Sequence, residues 1–360
     1  MTTDDALLRL VGVHKHFPVQ IGALLSRGHE FVHAVDGVDL QVRRGETLGL
    51  VGETGCGKST LARSIARLYD VTSGSVWFDG RDITRLSRRA MRPLRREIQV
   101  IFQYPYGSLN PRRRVGSIIG DPFAIHGVAS GARRKKQVQE LMELVGLNPE
   151  HYNRFPAEFS GGQRQRIGVA RALALRPKLV ICDEPVSALD VSIQAQIINL
   201  LADLQDEFDL TYVFISHDLS VVRHVSDRIA VMYLGKIVET APTPQLFEAP
   251  RHPYTRALLS ALPVPDPDVS DSQQRVILAG DMPSPVAPPS GCRFHTRCPK
   301  ARNDCVKREP PLVAVLGDAD DHATACLFPL EVGESLILAS PQIEDTVIDV
   351  DAAPEPGGVA

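Results

Sequence analysis

The chain has 360 residues, of which 43% are hydrophobic and 23% charged, as expected for a globular protein with one large domain and an appendage. Its formal net charge of −3 argues against a general nucleic-acid binder. No apolar run approaches the ~20 residues needed to span a bilayer. The start, Met1-Thr2-Thr3-Asp4-Asp5, lacks the basic and apolar parts of a signal peptide, so we expect a cytosolic chain that reaches a membrane only through partners.

Strand-like and helix-like segments alternate along most of the chain. We predict strands at Leu7–Val13, from Val35 to Val42, and at Thr47–Val51, Ile98–Phe102, Leu179–Cys182, Thr211–Ser216 and Ile229–Tyr233. We predict helices at Lys58–Leu68, Val138–Val145, Gly162–Ala174 and Ser192–Phe208. This alternation favours an α/β fold in which helices cover a largely parallel sheet.

The composition changes toward the C-terminus. Proline recurs at 263–267 and 283–289, as in linkers, and residues 331–360 carry seven acidic side chains and no Lys or Arg. We predict a main body at 1–262, a linker with a small cysteine-rich domain at 263–330, and an acidic, disordered tail at 331–360.

One segment matches a phosphate-binding loop. Gly52-Glu53-Thr54-Gly55-Cys56-Gly57-Lys58-Ser59 fits the pattern G-x-x-x-x-G-K-[ST], after a predicted strand and before a predicted helix. Its glycines let backbone N–H groups surround phosphates, Lys58 reaches the β- and γ-phosphates, and Ser59 ligates Mg²⁺. The predicted nucleotide-binding residues here are Gly52, Glu53, Thr54, Gly55, Cys56, Gly57, Lys58, Ser59 and Thr60.

A second predicted strand ends in two carboxylates, Asp183 and Glu184. A charge pair at the end of a buried strand is costly without a cation, so a bound Mg²⁺ is the natural compensation. We expect Asp183 to hold Mg²⁺, directly or through water, and Glu184 to polarise the attacking water.

A second glycine turn precedes a helix at Phe159-Ser160-Gly161-Gly162-Gln163, and Phe159 is the 101st residue after Lys58. Such a helix start offers free backbone N–H groups and a positive dipole end. One triphosphate rarely needs two anion-binding helix starts in one chain. We therefore expect this turn to grip a nucleotide held by another subunit.

This pair of sites resembles the ATP-binding-cassette (ABC) ATPases, whose LSGGQ signature differs here only by Phe159 in place of Leu. The resemblance implies a mixed sheet with helices and a helical subdomain at about 104–175. It implies that Gln103 senses Mg²⁺ and the attacking water, and that His217 contacts the γ-phosphate. Phe17 is either the aromatic on which adenine stacks or a core residue at a strand end.

Further motifs resemble the ATPases of oligopeptide and dipeptide importers, in their F type. They are Ser108–Pro111, Cys182–Asp190, His252–Leu259 and Gly291–Phe294, within a resemblance that spans Leu7–Pro329. The family implies a heterodimer with a paralogous ATPase, two transmembrane permeases and an extracytoplasmic peptide-binding protein, with this chain peripheral on the cytoplasmic face of the cell membrane. Tyr104 departs from the Asp common in the family after the glutamine, at the surface that receives the permease.

The cargo has alternatives, because nickel and sugar importers share much of this motif set. A different class is a soluble ABC ATPase of DNA repair or translation. The gap between loop and signature leaves no room for the long coiled coil of repair types, and translation types carry two cassettes. A third class is an iron–sulfur redox protein that uses ATP as a switch.

Four cysteines cluster near the C-terminus: Cys292, Cys298, Cys305 and Cys326. Their spacing lacks the C-x₂-C pairs of zinc ribbons and suits a 4Fe–4S cluster, which some importer members carry in this segment. Zinc, disulfides and unligated thiols remain alternatives, and His295 or His322 could substitute as a ligand. No motif places this segment near ATP, so we expect a structural or regulatory role.

Overall fold

An antiparallel sheet forms the start of the fold. The computed structural model describes residues 6–20, 29–103, 107, 109–262, 276, 278, 280–318 and 321–336. Strand β1 (Ala6–Gln20) pairs with β2 (His29–Arg43) along its length, and β4 (Ser73–Phe78) pairs with β1 on its other side. The short β5 (Arg81–Asp82) completes the order β2-β1-β4-β5. β1 extends beyond the predicted strand because β2 supplies backbone partners as far as Gln20.

A larger, mixed sheet carries the core. Its main strands are β3 (Thr47–Val51), β6 (Ile98–Ile101), β7 (Leu179–Asp183), β8 (Thr211–Ile215), β9 (Arg228–Tyr233) and β10 (Lys236–Pro242). The strands β9-β3-β8-β7-β6 are neighbours in that order and run parallel, whereas β10 pairs antiparallel with β9. Every residue of β3, β7 and β8 is buried, as continuous apolar runs predict for a sheet covered on both faces.

Helices cover this sheet. The described α-helices are α1 (Lys58–Ile65), α2 (Arg88–Glu97), α3 (Val115–His126), α4 (Gly131–Leu144), α5 (Gly161–Leu173), α6 (Val191–Phe208), α7 (Leu219–Val225), α8 (Thr243–Glu248), α9 (Pro253–Ser260) and α10 (Asn303–Lys307). Helices α3, α4 and α5 pack together within the range predicted for the helical subdomain, and α5 also contacts α6 and β6. Several helices were not predicted, among them α2 and α3, each of which contains a proline (Pro93 and Pro122) that ordinarily disfavours a helix interior.

The C-terminal segment, residues 280–336, extends the large sheet. Strands β11 (Val313–Ala314) and β12 (Ala323–Thr324) pair with each other, and β12 joins the edge of β10 at Glu239. The cysteine-bearing residues are therefore tied to the main body by a shared sheet. The domain boundaries themselves stay a prediction.

Some predictions fall outside the described residues. These include residues 263–275 of the linker, residues 337–360 of the tail, and Tyr104, so the disorder assigned to the tail stays a prediction. Across the described ranges, no helix combines the length and apolar character that crossing a membrane requires.

Candidate functional site

The phosphate-binding loop turns sharply between β3 and α1. Gly52 and Gly57 have φ values of 149° and 112°, in the region that favours glycine. A Cβ at Gly52 would lie 2.1 Å from the Met232 carbonyl oxygen, and one at Gly57 would lie 2.1 Å from that of Ala34. Both glycines are therefore required by close backbone packing as well as by the turn.

Lys58 lies at the first position of α1, directly beneath the loop. Its side chain is only 5% exposed, and its Nζ donates to the carbonyl oxygens of Gly52 at 2.6 Å and Glu53 at 3.0 Å. The ammonium is thus held inside the curve of the loop by the loop's own backbone. This placement fits the predicted role of Lys58 as the cation for a bound phosphate chain.

Ser59 and Asp183 meet across the base of the site. The Ser59 hydroxyl donates to Asp183 Oδ1 at 2.8 Å, which joins the start of α1 to the end of β7. Asp183 is 3% exposed, and this burial raises the pKa of its carboxyl above the ordinary value. A buried carboxylate beside a hydroxyl offers the oxygen ligands that Mg²⁺ prefers, so these residues fit the predicted metal site.

The three predicted catalytic side chains converge on one atom, Glu184 Oε2. Gln103 Nε2 donates to this oxygen at 2.6 Å, and His217 Nδ1 lies 3.3 Å from it. Gln103, Glu184 and His217 follow β6, β7 and β8, which are adjacent parallel strands. The carboxyl ends of such strands meet at one edge of the sheet, where α/β proteins place their ligands.

Glu184 adopts an unusual backbone conformation. Its φ is +50°, in the left-handed region, and its N–H donates to the Ile215 carbonyl oxygen at 3.0 Å. Such a conformation in a non-glycine residue is costly unless the surroundings hold it, and it is most common at functional sites. It turns the Glu184 side chain away from the strand direction and toward Gln103 and His217.

The second glycine turn begins α5 as predicted. Ser160 and Gln163 form a reciprocal cap, in which the Gln163 N–H donates to Ser160 Oγ at 3.3 Å and the Ser160 N–H donates to Gln163 Oε1 at 3.0 Å. Ser160 and Gln163 are exposed. Gly162 is buried, and a Cβ there would lie 2.4 Å from Ile193 Cγ2. The motif is therefore also required for the packing of α5 against α6.

Phe17 lies on β1, half-buried beside a tyrosine. Its ring meets that of Tyr69 edge-on with centroids 5.5 Å apart, and Lys15 Nζ lies 4.7 Å from the Phe17 centroid. The ring is accessible enough for stacking, and its role with adenine stays a prediction.

The four C-terminal cysteines line one small cavity, together with His252 and His295. Burial raises the pKa of Cys292 to about 11 and the pKa values of Cys298 and Cys326 to about 12. Among the described residues, the one group of three or more potential ligands whose atoms all lie within 4.8 Å of one another is His14, His16 and Asp36. No three of the four cysteine sulfurs therefore all lie within 4.8 Å of one another.

Two contacts with the phosphate loop were missed by sequence reasoning. Arg297, next to Cys298, forms an ion pair with Glu53, with Nη1 2.9 Å from Oε2. The Glu53 N–H donates to the Tyr254 hydroxyl at 2.9 Å. The expectation that nothing places the cysteine segment near the nucleotide site is therefore wrong. The motif around His252–Leu259 was visible in the sequence, but its contact spans 201 residues and no local pattern reveals it.

Comparison with known proteins decides the family. The ABC transporter family model matches residues 35–187, and the model for the C-terminal region of oligopeptide/dipeptide transporters matches 238–305. The oligopeptide transport ATP-binding protein AppF of Bacillus subtilis is 52% identical over 324 residues, covering 90% of this chain and 97% of that protein. The chain belongs to the oligopeptide/dipeptide transporter ATP-binding protein family. The resemblance inferred from the motifs is thereby confirmed.

Other relatives agree with this assignment to the peptide-transporter ATPases. The dipeptide transport ATP-binding protein DppF of Escherichia coli is 48% identical over 311 residues, covering 86% of this chain and 92% of that protein. The solved dimer of the ATP-binding cassette MJ0796 with ADP and Pi has a TM-score of 0.59 at 30% identity and covers 66% of this chain and 98% of that one. This chain is an ABC ATPase, and the prediction of an α/β cassette fold is confirmed.

Proposed function

We propose that this chain hydrolyses ATP to power the import of dipeptides and oligopeptides. The convergence of Gln103 and His217 on Glu184 Oε2 carries the hydrolytic part of the proposal. The names of its relatives, which are oligopeptide and dipeptide transport ATP-binding proteins, support the cargo. Transport requires partners: two permeases, an extracytoplasmic peptide-binding protein and a second, paralogous ATPase. The chain then lies peripherally on the cytoplasmic face of the membrane.

The geometry of this chain's own site supports hydrolysis there. Lys58 and the loop N–H groups hold the phosphate chain, while Glu184 accepts a proton from the water that attacks the γ-phosphorus. The bond to the bridging oxygen breaks, giving ADP and phosphate. Gln103 and His217 orient the water and the γ-phosphate. Ser59, Asp183 and Gln103 would hold Mg²⁺, which when bound neutralises charge on the phosphates.

The signature turn serves the partner's nucleotide in this proposal. Ser160 and Gln163 are exposed at the N-terminus of α5, and the N–H groups of Gly161 and Gly162, which lie outside their reciprocal cap, suit a phosphate. Ser160, Gly161, Gly162 and Gln163 would complete the paralogue's site as its own turn completes this one. The dimeric form of the MJ0796 cassette is a precedent for pairing.

Uptake by the whole assembly tests the cargo. The complex is co-purified, its partner chains are identified, and it is reconstituted in vesicles that contain ATP. We expect ATP-dependent accumulation of a labelled tripeptide when the binding protein is present, and none when Lys58→Ala replaces the wild type. Accumulation of nickel or a sugar instead would favour the alternative importers, and a chain that purifies without permeases would favour a soluble ABC ATPase.

The cysteine cavity is proposed to hold a 4Fe–4S cluster. Its donor set is four thiols, and they are spread more widely than the roughly 3.8 Å between sulfurs that 2.3 Å bonds to one zinc ion would give. In a cluster each cysteine ligates a different iron, which permits the wider spacing. When bound, such a cluster supplies one-electron redox chemistry or rigid cross-linking of the segment.

Metal analysis of the full chain purified without oxygen tests this assignment. We expect a brown protein with about four irons per chain, and colour should be lost in Cys298→Ser. A colourless protein with stoichiometric zinc would overturn the cluster.

A further inference from the structure

Arg297 brings the cysteine segment to the phosphate loop. It ends a short 3₁₀ helix, His295–Arg297, and is followed by Cys298. Its Nη1 lies 2.9 Å and 3.1 Å from the two carboxylate oxygens of Glu53. The Arg297 side chain is 9% exposed and that of Glu53 27% exposed, so the pair is screened less by water than an ordinary surface pair.

Glu53 is held by its backbone as well. Its N–H donates to the hydroxyl of the fully buried Tyr254. This N–H is therefore already satisfied within the protein, and the Glu53 carbonyl oxygen in turn accepts from the Cys56 N–H at 3.2 Å. Tyr254 belongs to α9, outside the loop and its helix, so the loop is fixed from two directions by the C-terminal part of the chain.

Aromatic packing connects these contacts to the cysteines. Phe294, between Cys292 and Cys298 in the sequence, is buried and lies 5.2 Å from Tyr233 and 5.3 Å from Tyr254, measured between ring centroids. Tyr233 and Tyr254 also pack against each other. A closely packed block of this kind transmits displacement because it has little free space.

A second arginine anchors the same segment. Arg293 forms an ion pair with Asp36, and its Nη1 donates to the Leu234 carbonyl oxygen at 2.6 Å. The next residue, Gly235, donates its N–H to the Cys56 carbonyl oxygen in the loop at 2.8 Å. The phosphate loop is thus tied, at Glu53 and at Cys56, to residues that the cysteine segment contacts.

We infer that Arg297 is a positioning residue through which the state of the cysteine site sets ATP affinity. It neutralises and orients the carboxylate of Glu53, a residue of the phosphate loop. Because Arg297 adjoins Cys298, any ligation or modification that moves Cys298 also moves the guanidinium. The coupling is reciprocal, so bound ATP must change the free energy of ligation or modification at Cys298 by the same amount. The metal part of this inference rests on the cluster proposed above, whereas the ion pair does not.

Nucleotide binding by the full chain tests the ion pair. Arg297→Gln is expected to weaken ATP binding about tenfold, because it leaves the Glu53 charge uncompensated beside the phosphates. Arg297→Lys should recover part of the loss. The double variant Glu53→Gln/Arg297→Gln should bind more tightly than Arg297→Gln alone, since the uncompensated charge of Glu53 is gone. Arg308→Gln, which removes an exposed arginine of the same segment, is the matched control.

Two results would overturn the role of Arg297. One is an Arg297→Gln affinity equal to that of Arg308→Gln. The other is a double variant as weak as the single one, because that pattern indicates damage to folding rather than an unbalanced charge. Thermal melting of every variant accompanies the binding measurement.

The reciprocal half is tested on metal-free full-length chain by equilibrating Cys298 with a buffer of reduced and oxidised glutathione and quantifying its mixed disulfide by peptide mass spectrometry. We expect saturating ATP to change the equilibrium constant for glutathionylation of Cys298 severalfold in the wild type but not in Arg297→Gln. An unchanged equilibrium constant in the wild type would overturn the coupling. Because no metal is required, this result is independent of whether iron, zinc or no metal is found in the purified protein.

Discussion

At the scale of single residues, one carboxylate oxygen organises the hydrolytic centre. Glu184 Oε2 accepts from Gln103 and lies beside His217, so the three groups predicted from separate motifs share one point in space. Gln103 and His217 were predicted from the resemblance to ABC ATPases, and their convergence has a physical reason, because parallel strands bring their carboxyl ends together. The positive φ of Glu184 could not be predicted, since it depends on the neighbouring strand β8.

His217→Ala is expected to lower kcat for ATP hydrolysis by about 100-fold or more, because it removes a group that stabilises charge developing on the γ-phosphate. ATP affinity should change much less. Steady-state phosphate release over a range of ATP concentrations separates the two effects. His224→Ala, at an exposed histidine of α7, is the control, and equal kcat values for the two variants would contradict the role of His217.

Contacts between distant segments are the least predictable from the sequence. Tyr254 and Arg297 lie 201 and 244 positions from Glu53, and nothing in the pattern around Glu53 signals either partner. Gln163, by contrast, was expected to bind nucleotide and also caps its own helix through Ser160, only three positions away. Local motifs predict which groups carry chemistry, whereas tertiary packing decides what else holds them.

At the scale of elements, the start of α5 combines a binding motif with a packing constraint. Gly161 would accept a Cβ at 3.4 Å from Leu189 Cδ2, whereas a Cβ at Gly162 would lie 2.4 Å from Ile193 Cγ2. Two adjacent glycines of one motif therefore differ in their importance for folding. The sequence shows the pair but cannot distinguish its members, because the neighbour comes from α6.

Gly162→Ala is expected to destabilise the chain by about 1–3 kcal/mol through overpacking against α6. Gly161→Ala should leave the free energy of unfolding within about 1 kcal/mol of the wild type, since Ala is the better helix former. Urea unfolding of both variants measures the difference. Equal stabilities would show that α6 yields to the extra methyl group.

The N-terminus of α9 depends on a buried neutral histidine. His252 Nδ1 accepts from the Tyr254 N–H at 3.0 Å, and the His252 N–H donates to the Glu239 carboxylate. Burial lowers the pKa of His252 to about 4. The folded state therefore binds fewer protons at this site than the unfolded state between about pH 6.5 and pH 4, and its contribution to stability is lost as the pH falls through that window.

His252→Asn should reduce this sensitivity to acid while retaining a capping side chain. Urea unfolding at pH 7.5 and pH 5 is the measurement. We expect the wild type to lose more stability than the variant between these two pH values. A parallel loss in both proteins would mean that His252 does not contribute to the acid dependence.

At the scale of the whole molecule, the C-terminal segment is part of the ATPase architecture. Its strands β11 and β12 extend the sheet at β10, and its arginines contact β2 and the phosphate loop. The composition of the chain predicted an appendage at this place. It could not predict the docking, because pairing of two short strands with β10 depends on edges that form only when the main sheet has folded.

The parallel core of the sheet was predictable from its continuous apolar runs, and the cassette fold from the order of the motifs. β4, β5 and β10 were not predicted, since their apolar positions are few or interrupted. The sequence also could not show that the four cysteines share one cavity. Turns around Cys292 and Cys305 produce that convergence. The Cys292 N–H donates a hydrogen bond to the Cys305 carbonyl oxygen at 2.8 Å.

The most direct test of the central claim is phosphate release by the co-purified transporter complex, with wild-type chain or with Glu184→Gln. The amide is similar in size to the carboxylate but cannot accept the proton of the attacking water. We expect ATP to remain bound while hydrolysis at this chain's site falls by about 100-fold or more. Hydrolysis at that site within a few-fold of the wild-type rate would contradict the assignment of Glu184 as the base and, with it, the proposed hydrolytic centre.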